Sequence, residues 1–342
     1  MTREPLCLRV SAPVPSTPVV PGLAVRALTV DYASAVAVLV ERIEAADALP
    51  TRTTPSAVAE ELAYSWNDLA VDSLGVFDGA TLRAWALVDR LPGSDVRAVR
   101  VVLHGGVDPE LRRQGVGGLL LDWQLARARQ RLAASDSTAV GRIMAGTNDG
   151  EGSAGHRALL ARAGMSPARY FTIMRRDLTD PIPTVEPRGD VRIVPYADRY
   201  DEATRVAHND AFRDHWGSEE QTAEAWAQGR DGFAPEWSFL AVTGDGEDER
   251  VVGYELASRS QEEWPVVGYT FGYTELLGVV RDFRGRRIAP ALLARAMERF
   301  RADGMEYAAL DVDSASPSGA DDLYASLGYR RRHSDVVYTI EV

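Results

Sequence analysis

Two stretches of this chain have the residue types and spacing of an anion cradle. The first runs Val107-Asp108-Pro109-Glu110-Leu111-Arg112-Arg113-Gln114-Gly115-Val116-Gly117-Gly118 and reads as a strand end, a basic glycine-rich turn and the abrupt start of a helix. Backbone N–H groups in such a turn converge with the unpaired amides of the helix's first residues, where the helix dipole adds partial positive charge. The spot suits a phosphate or pyrophosphate. Gly115 and Gly117 leave no side chain between backbone and anion, and Arg112 and Arg113 add charge at the rim. The second stretch, Val279-Val280-Arg281-Asp282-Phe283-Arg284-Gly285-Arg286-Arg287-Ile288-Ala289, repeats the design with Arg287 in the place of Gly115. Its backbone amides still meet the anion, and a further guanidinium adds to the attraction.

Such turns work only if strands and helices hold them, and the chain supplies the same order of elements twice. Strand patterns at Val25-Arg26-Ala27-Leu28 and Val191-Arg192-Ile193-Val194 are each followed by a helical pattern, at 33–46 and 198–212. Short second helices are expected near 55–66 and 218–228. Strands follow at 71–77, 82–88 and 99–103 in the first half, and at 238–242, 251–257 and 269–277 in the second. Then come the basic turn, an amphipathic helix, a strand (141–145; 308–312), a further helix and a closing strand. The register holds: Arg26 to Arg192 is 166, Arg112 to Arg284 is 172, and Gly164 to Gly328 is 164. Pro181, Pro183, Pro187 and Gly189 mark a linker. The expected organisation is an extended tail over 1–22, a domain over 23–178, a linker over 179–189 and a second domain over 190–342. Each domain is a mixed α/β sheet flanked by helices.

A chain of 342 residues can bury two cores, and 45% apolar with 26% charged residues is the composition of a soluble globular protein. No apolar run is long enough for a membrane helix, and residues 1–22 lack the apolar centre of a signal peptide. A cytoplasmic protein with no membrane partner is expected. The net charge of −12 argues against nucleic acid. All 38 basic side chains are arginine, which GC-rich coding explains without a functional role. One cysteine, Cys7, excludes an internal disulfide, and histidines 104, 156, 208, 215 and 333 show no ligand spacing, so no metal is expected.

From these features the chain resembles the GNAT superfamily of acetyl-CoA-dependent N-acetyltransferases. That family's turn reads Gln/Arg-x-x-Gly-x-Gly/Ala, which Arg112-x-x-Gly115-x-Gly117 matches throughout and Arg284-x-x-Arg287-x-Ala289 matches at its ends. Asp321-Asp322-Leu323-Tyr324-Ala325-Ser326-Leu327-Gly328-Tyr329 is similar to the family's closing Leu-Tyr-x-x-Leu-Gly-Phe segment. The resemblance implies two tandem GNAT-like domains and direct acetyl transfer from acetyl-CoA to a primary amine of a small molecule. It also implies a carboxylate base, a strand N–H for the oxyanion and a tyrosine acid for the departing thiolate. Acetyl-CoA is expected on Leu277, Gly278, Val279 and Val280 and on the turn from Arg284 to Ala289. The first half offers a second site at Val107 and from Arg112 through Arg113, Gln114, Gly115, Val116 and Gly117 to Gly118.

On this pattern the acid is Tyr324, four residues before Gly328, and the base is Glu275, nine before Arg284. The first half has Leu160 and Leu103 at the matching places, with His104 beside the latter. The second half is therefore expected to be catalytic, and the first a cofactor-binding or architectural copy. Packing of Tyr324 in a helix and simple solvation of Glu275 are the structural alternatives. Asp311 and Asp313, alternating at a strand end, either contact the amine or terminate the strand. Trp216, Trp226, Trp237 and Trp264 line a substrate cleft or pack a core. Two other functions stay open: a non-catalytic acyl-CoA-binding sensor, and a transferase for a longer acyl group.

Overall fold

In the computed structural model, which describes residues 3–91, 97–213, 220–228, 230, 232–314 and 320–342, both halves follow the expected order of elements. The first contains α1 (Leu6–Arg9), β1 (Ala24–Arg26), α2 (Ala33–Ala46), α3 (Pro55–Leu62), α4 (Leu69–Asp72), β2 (Ser73–Asp78), β3 (Thr81–Arg90), β4 (Ala98–Val107), α5 (Val116–Ala133), β5 (Val140–Asn148) and α6 (Ala154–Arg162). Strand β6 (Ser166–Asp177) follows. The second half contains β7 (Arg192–Pro195), α7 (Asp201–Ala211), α8 (Ala223–Ala227), β8 (Phe239–Thr243), β9 (Arg250–Ser258), α9 (Trp264–Val267), β10 (Phe271–Val279), α10 (Ile288–Ala302), β11 (Tyr307–Asp313), α11 (Ala320–Ser326) and β12 (Arg330–Glu341). Caps fix several starts: Thr54 and Thr222 accept the N–H groups of Ala57 and Ala225 three residues on.

Contacts divide the chain into one unit of Met1–Tyr170 with Asp335–Val342 and another of Phe171–Ser334. In the first, β1, β2, β3 and β4 pair antiparallel in that order, β4 pairs parallel with β5, and β5 pairs antiparallel with 335–341 of β12. In the second, β7, β8, β9 and β10 pair antiparallel, β10 pairs parallel with β11, and β11 pairs antiparallel with 171–177 of β6. Each sheet is covered on both faces. Helix α10 buries Leu292, Leu293, Ala296, Met297 and Phe300 against one face, spaced along one stripe. Fully burying a side chain of leucine or phenylalanine size stabilises by about 1.5–3 kcal/mol. Helices α7 and α8 cover the other face with Ala207 and Trp226, over Leu240, Val242 and Leu256. Helices α5 and α2 repeat the arrangement in the first unit.

Two expectations are corrected. The boundaries 23–178 and 190–342 do not hold, because the sixth strand of each sheet comes from the other half of the sequence. Residues 171–177 complete the second sheet, 335–341 complete the first, and Ile182 and Val185 of the supposed linker pack on the second core. Period-two alternation marks a strand but does not say which edge it joins. Residues 1–22 are also no free tail. Leu6 and Val20 are buried in the first core, and the N–H groups of Leu6 and Cys7 reach Ser137 O and Ser135 O at 2.9 and 3.0 Å. Among the described residues no helix is long and apolar enough to cross a membrane.

Candidate active site

In both units the parallel strand pair opens just before the turn. The shared rungs run to Thr274↔Leu310 between β10 and β11, and to Val102↔Met144 between β4 and β5, with Val102 and Thr274 matching at the turn offset of 172. Beyond them, among the described residues, Leu276, Leu277, Gly278 and Val279 pair only with β9. The other edge keeps its N–H and C=O groups, the arrangement that accepts an amide-bearing chain as an added strand.

The turn that follows needs two left-handed residues, and the units supply them in opposite order. Arg113 and Gly115 have φ of 64° and 86°; Gly285 and Arg287 have 76° and 59°. One glycine and one arginine therefore hold each turn. A Cβ on Gly115 or Gly118 meets nothing within 4 Å, so the mouth of the first turn is open. Pro290 stands where Gly118 would fall, so the second helix presents one amide fewer. Gly278 is glycine for a different reason: a Cβ there would lie 2.3 Å from the Tyr254 hydroxyl oxygen.

The leading arginines are tied to helix ends. Arg112 donates to both carboxylate oxygens of Asp47, the C-cap of α2, at 2.5 and 3.0 Å, and to Val107 O at 3.3 Å. Arg284 donates to Ala211 O at the end of α7 and to Val279 O, at 2.7 and 3.3 Å. A guanidinium at a helix C-terminus gains both hydrogen bonds and dipole attraction. These two residues brace the turn against a helix. Arg286 and Arg287, both exposed, carry charge at the second mouth, with Arg286 stacked 4.4 Å from the Phe283 ring. In the first turn Arg113 and Gln114 are exposed, and Val116 is buried beneath it, as Ile288 is beneath the second beside a half-buried Ala289; Val280 N–H bonds to Val252 O at 2.9 Å.

Glu275 lies at the opening itself. The β9–β10 register slips between Thr274 and Leu276, which pair with Ala257 and Leu256, so Glu275 is the unopposed residue of a β-bulge. The first unit explains the slip. There Leu103 pairs with Val88 and the ladder runs unbroken from Ala84 to Arg90. Gly253 follows Ala84 at an offset of 169, whereas Ala257 follows Asp89 at 168, so β9 is one residue short opposite Glu275.

Ser258 Oγ donates to Glu275 Oε2 at 3.0 Å, and the carboxylate opens into a cavity of about 280 Å³. His208, Trp226, Arg230, Phe233 and Gln228 line the rest of it. Glu275 is exposed at the rim of this cavity, and crowding by these groups raises its pKa above the ordinary range, against the Ser258 hydrogen bond and with the charge of Asp311. The walls are braced. Asp201 Oδ1 accepts from Tyr196 Oη, Arg230 Nη2 and Trp226 Nε1 at 2.7, 2.8 and 3.1 Å, and His208 Nδ1 lies 2.8 Å from Tyr254 Oη. His208 of α7, Ser258 of β9 and the Gln228 and Arg230 that follow α8 escape a sequence reading because only tertiary folding brings these three places together. Below the bulge, Glu255 is wholly buried and pushed up to about 8 by that burial, despite bonds from Thr274 Oγ1 and the Phe239 amide.

Tyr324 is not among the cavity's lining residues. It is nearly buried on α11, its ring centroid 6.0 Å from that of Tyr329. Trp226 does line the cavity, Trp237 is core with Nε1 on Asp303 at 2.6 Å, and Trp264 donates to Phe271 O. Trp216 and His215 lie outside the described residues.

The corresponding cavity of the first unit, about 350 Å³, is lined by Glu61, Tyr64, Asp89 and His104. His104 Nδ1 is 2.9 Å from Glu61 Oε1. Burial opposes its charged form, but the bond and charge of Glu61, with Asp89 behind, outweigh it and raise its pKa. Leu160 is buried where the second unit has Tyr324, and Gln124 donates to Leu87 O and His104 O at 3.0 and 2.7 Å. The matching residue of α10 is the small Ala296.

The acetyltransferase (GNAT) family matches residues 202–329, all within the second unit. A mycothiol acetyltransferase of Thermobispora bispora is 29% identical over 275 residues, 77% of this chain and 81% of the relative. One of Acidothermus cellulolyticus is 30% identical over 249 residues, 68% and 69% of the two chains. Among solved structures, a GCN5-related N-acetyltransferase from Sphaerobacter thermophilus has a TM-score of 0.67 at 25% identity, covering 95% of this chain and 97% of that one. A tandem GNAT protein from the clavulanic acid biosynthesis pathway shares the fold at 16% identity, with a TM-score of 0.61 over 93% and 98%.

Proposed function

The chain belongs to the GNAT acetyltransferase family, and from that premise we propose that its second unit moves an acetyl group from acetyl-CoA to a primary amine of a small molecule. The observation that carries this reading is Glu275, lifted out of the β9–β10 ladder at the open edge that leads into the turn. The edge from Leu277 to Val280 takes the amide-bearing arm of the donor, and the amides from Gly285 to Ala289 take its pyrophosphate. The fit rests on what the fold leaves available: an edge without a β11 partner, and a turn in which Arg284 is tied to a helix end and Arg286 and Arg287 are exposed.

Glu275 takes a proton from the acceptor nitrogen, directly or through one water, and the freed lone pair attacks the thioester carbonyl. A backbone N–H of the open β10 edge holds the oxyanion. When the C–S bond breaks, the Tyr324 hydroxyl returns a proton to the sulfur. The names of the relatives put a mycothiol-related amine first among acceptors to try. The first unit is proposed as a cofactor-binding copy, supported by its open Gly115 turn and by Leu103 and Leu160 at the acid–base places.

The test is release of free CoA thiol when the protein meets acetyl-CoA and a panel of primary amines, with longer acyl-CoAs in parallel. Thiol release with no amine dependence, or binding of acyl-CoA without turnover, would favour the sensor.

A further inference from the structure

We propose that Asp311 is the acceptor-binding carboxylate of the second unit, and that the amine enters as an ammonium ion held between Asp311 and Glu275. This rests on Glu275 as the base and adds the charge state in which the acceptor is recognised.

Thr274 and Leu310 form the last shared rung of β10 and β11, so Glu275 and Asp311 are the next residues on each strand as the pair opens. Tyr273 and Ala309 are in register one rung earlier, and Tyr273 Oη donates to Asp311 Oδ1 at 3.0 Å. Asp311 therefore stands on the Tyr273 face of the sheet, half-buried, with one oxygen oriented by a phenol. Its charge reaches the Glu275 carboxyl and favours the protonated form there. Two carboxylates at one opening repel each other, and a cation between them removes that repulsion.

The other charged or titratable groups on the elements around Glu275 have defined engagements. Arg230 is paired with Asp201 at 2.8 Å, and His208 with the Tyr254 hydroxyl. Arg175 of β6 stacks 4.0 and 4.1 Å from the Tyr307 and Tyr269 rings, and Asp313 is buried at the end of β11. Ser258 gives Glu275 a neutral hydrogen bond.

The step balances simply. One N–H bond of the ammonium breaks, its proton goes to a Glu275 oxygen, and the nitrogen keeps the electron pair with which it attacks. Asp311 remains ionised throughout, so the pair loses one negative charge and the ligand its positive one. Raising the proton affinity of Glu275 and binding the cation are thus one act of the same carboxylate.

Asp311→Asn tests this by two readouts of opposite sense. With the best acceptor from a panel of glucosamine, tyramine and cysteine, KM for the amine is expected to rise roughly ten- to a hundredfold, with little change in KM for acetyl-CoA. At the same time the acidic limb of kcat/KM is expected to move to lower pH, because the charge that raises Glu275 is gone. Hydration of a damaged site would move the limb the same way, so Asp311→Glu, which keeps the charge, is expected to hold the limb at its original position. Without any acceptor, the Glu275 side-chain carbon followed by NMR is expected to titrate at lower pH in Asp311→Asn. An unmoved Glu275 titration, or an unchanged amine KM, overturns the proposal. If Glu275→Gln leaves rate and limb intact, the failure is instead that of the acid–base assignment.

Discussion

At β4 and at β10 one fork has been finished in two ways. Both strands leave their parallel neighbour at the matching rung and run into a turn with two left-handed residues before a helix. The turn survives exchange of which position carries its glycine. What separates the units lies a few residues earlier. A β9 one residue short throws Glu275 out of the ladder, whereas Leu103 stays paired with Val88. Gln124 ties Leu87 O and His104 O together in the first unit, where Ala296 leaves the second unit unbridged. On the proposed reading, anion binding depends on backbone shape and tolerates substitution. Proton transfer, on the same proposal, depends on Glu275 alone, which a single-residue difference in a neighbouring strand sets apart from the ladder.

The largest expected effects break that contrast directly. Positioned proton transfer is typically worth about 10²–10⁴-fold, so Glu275→Gln and Tyr324→Phe should each lower kcat by roughly that factor with acetyl-CoA affinity nearly unchanged. Activity is expected to be lost as pH falls through the raised Glu275 pKa, because only the carboxylate accepts a proton. Leu103→Glu should gain no activity, since that position is paired within the ladder. Steady-state kinetics on the three variants decide this. Full kcat in Tyr324→Phe removes Tyr324 from the mechanism and turns attention to His104.

A second contrast is thermodynamic. Glu255 occupies the register place that Ala86 fills in the first unit. Its folded pKa of about 8 lies above the unfolded value. The folded state therefore holds a proton the unfolded chain releases. That stability is fully present below the unfolded carboxylate pKa and is lost as pH rises towards 8. Between pH 5.5 and 8.5 the loss is on the order of 3 kcal/mol. Urea unfolding at pH 5.5 and 8.5 should show it, and Glu255→Gln should flatten the slope. An equal slope in that variant would assign the pH dependence to other groups.

How much of this was legible in the residues follows from the range of each signal. Helix α2 was placed at its observed bounds because its apolar stripe is local, and both turns were found because glycine and arginine mark them. The bulge was not, since a one-residue deficit in β9 shows only against the strand it pairs with. Arg112 and Arg284 were read as anion contacts from their charge and their place in the turn motif, and the tertiary bond each makes to a helix end more than sixty residues away in sequence was not legible. The exchanged sixth strands and the convergence of His208, Ser258 and Arg230 depend on tertiary pairing that no spacing encodes.

The stoichiometry of acetyl-CoA sharpens the contrast further. If the Gly115 turn keeps its function, calorimetry should find two sites per chain. Gly115→Asp should remove one, by setting a carboxylate and a strained φ where the anion sits. That change is worth about 2 kcal/mol or more of binding at the affected turn. A single site that ignores the substitution would make the first turn purely architectural.

The smallest expected effect concerns the second turn. Arg287 holds φ 59° as a non-glycine residue, which costs about 1–2 kcal/mol, and glycine returns about half of that gain as lost chain entropy. Arg287→Gly should therefore raise the stability of the second unit by about 0.5–1 kcal/mol. If the backbone amides hold the pyrophosphate, the affinity for acetyl-CoA should change by no more than a few-fold, the share of one exposed charge. Replacing Gly285 by arginine in the same variant would recreate the order of the first turn and should restore most of that charge. A large loss of affinity in Arg287→Gly that the double variant does not repair would mean that the Arg287 side chain itself grips the phosphate. The two turns would then differ in chemistry as well as in order.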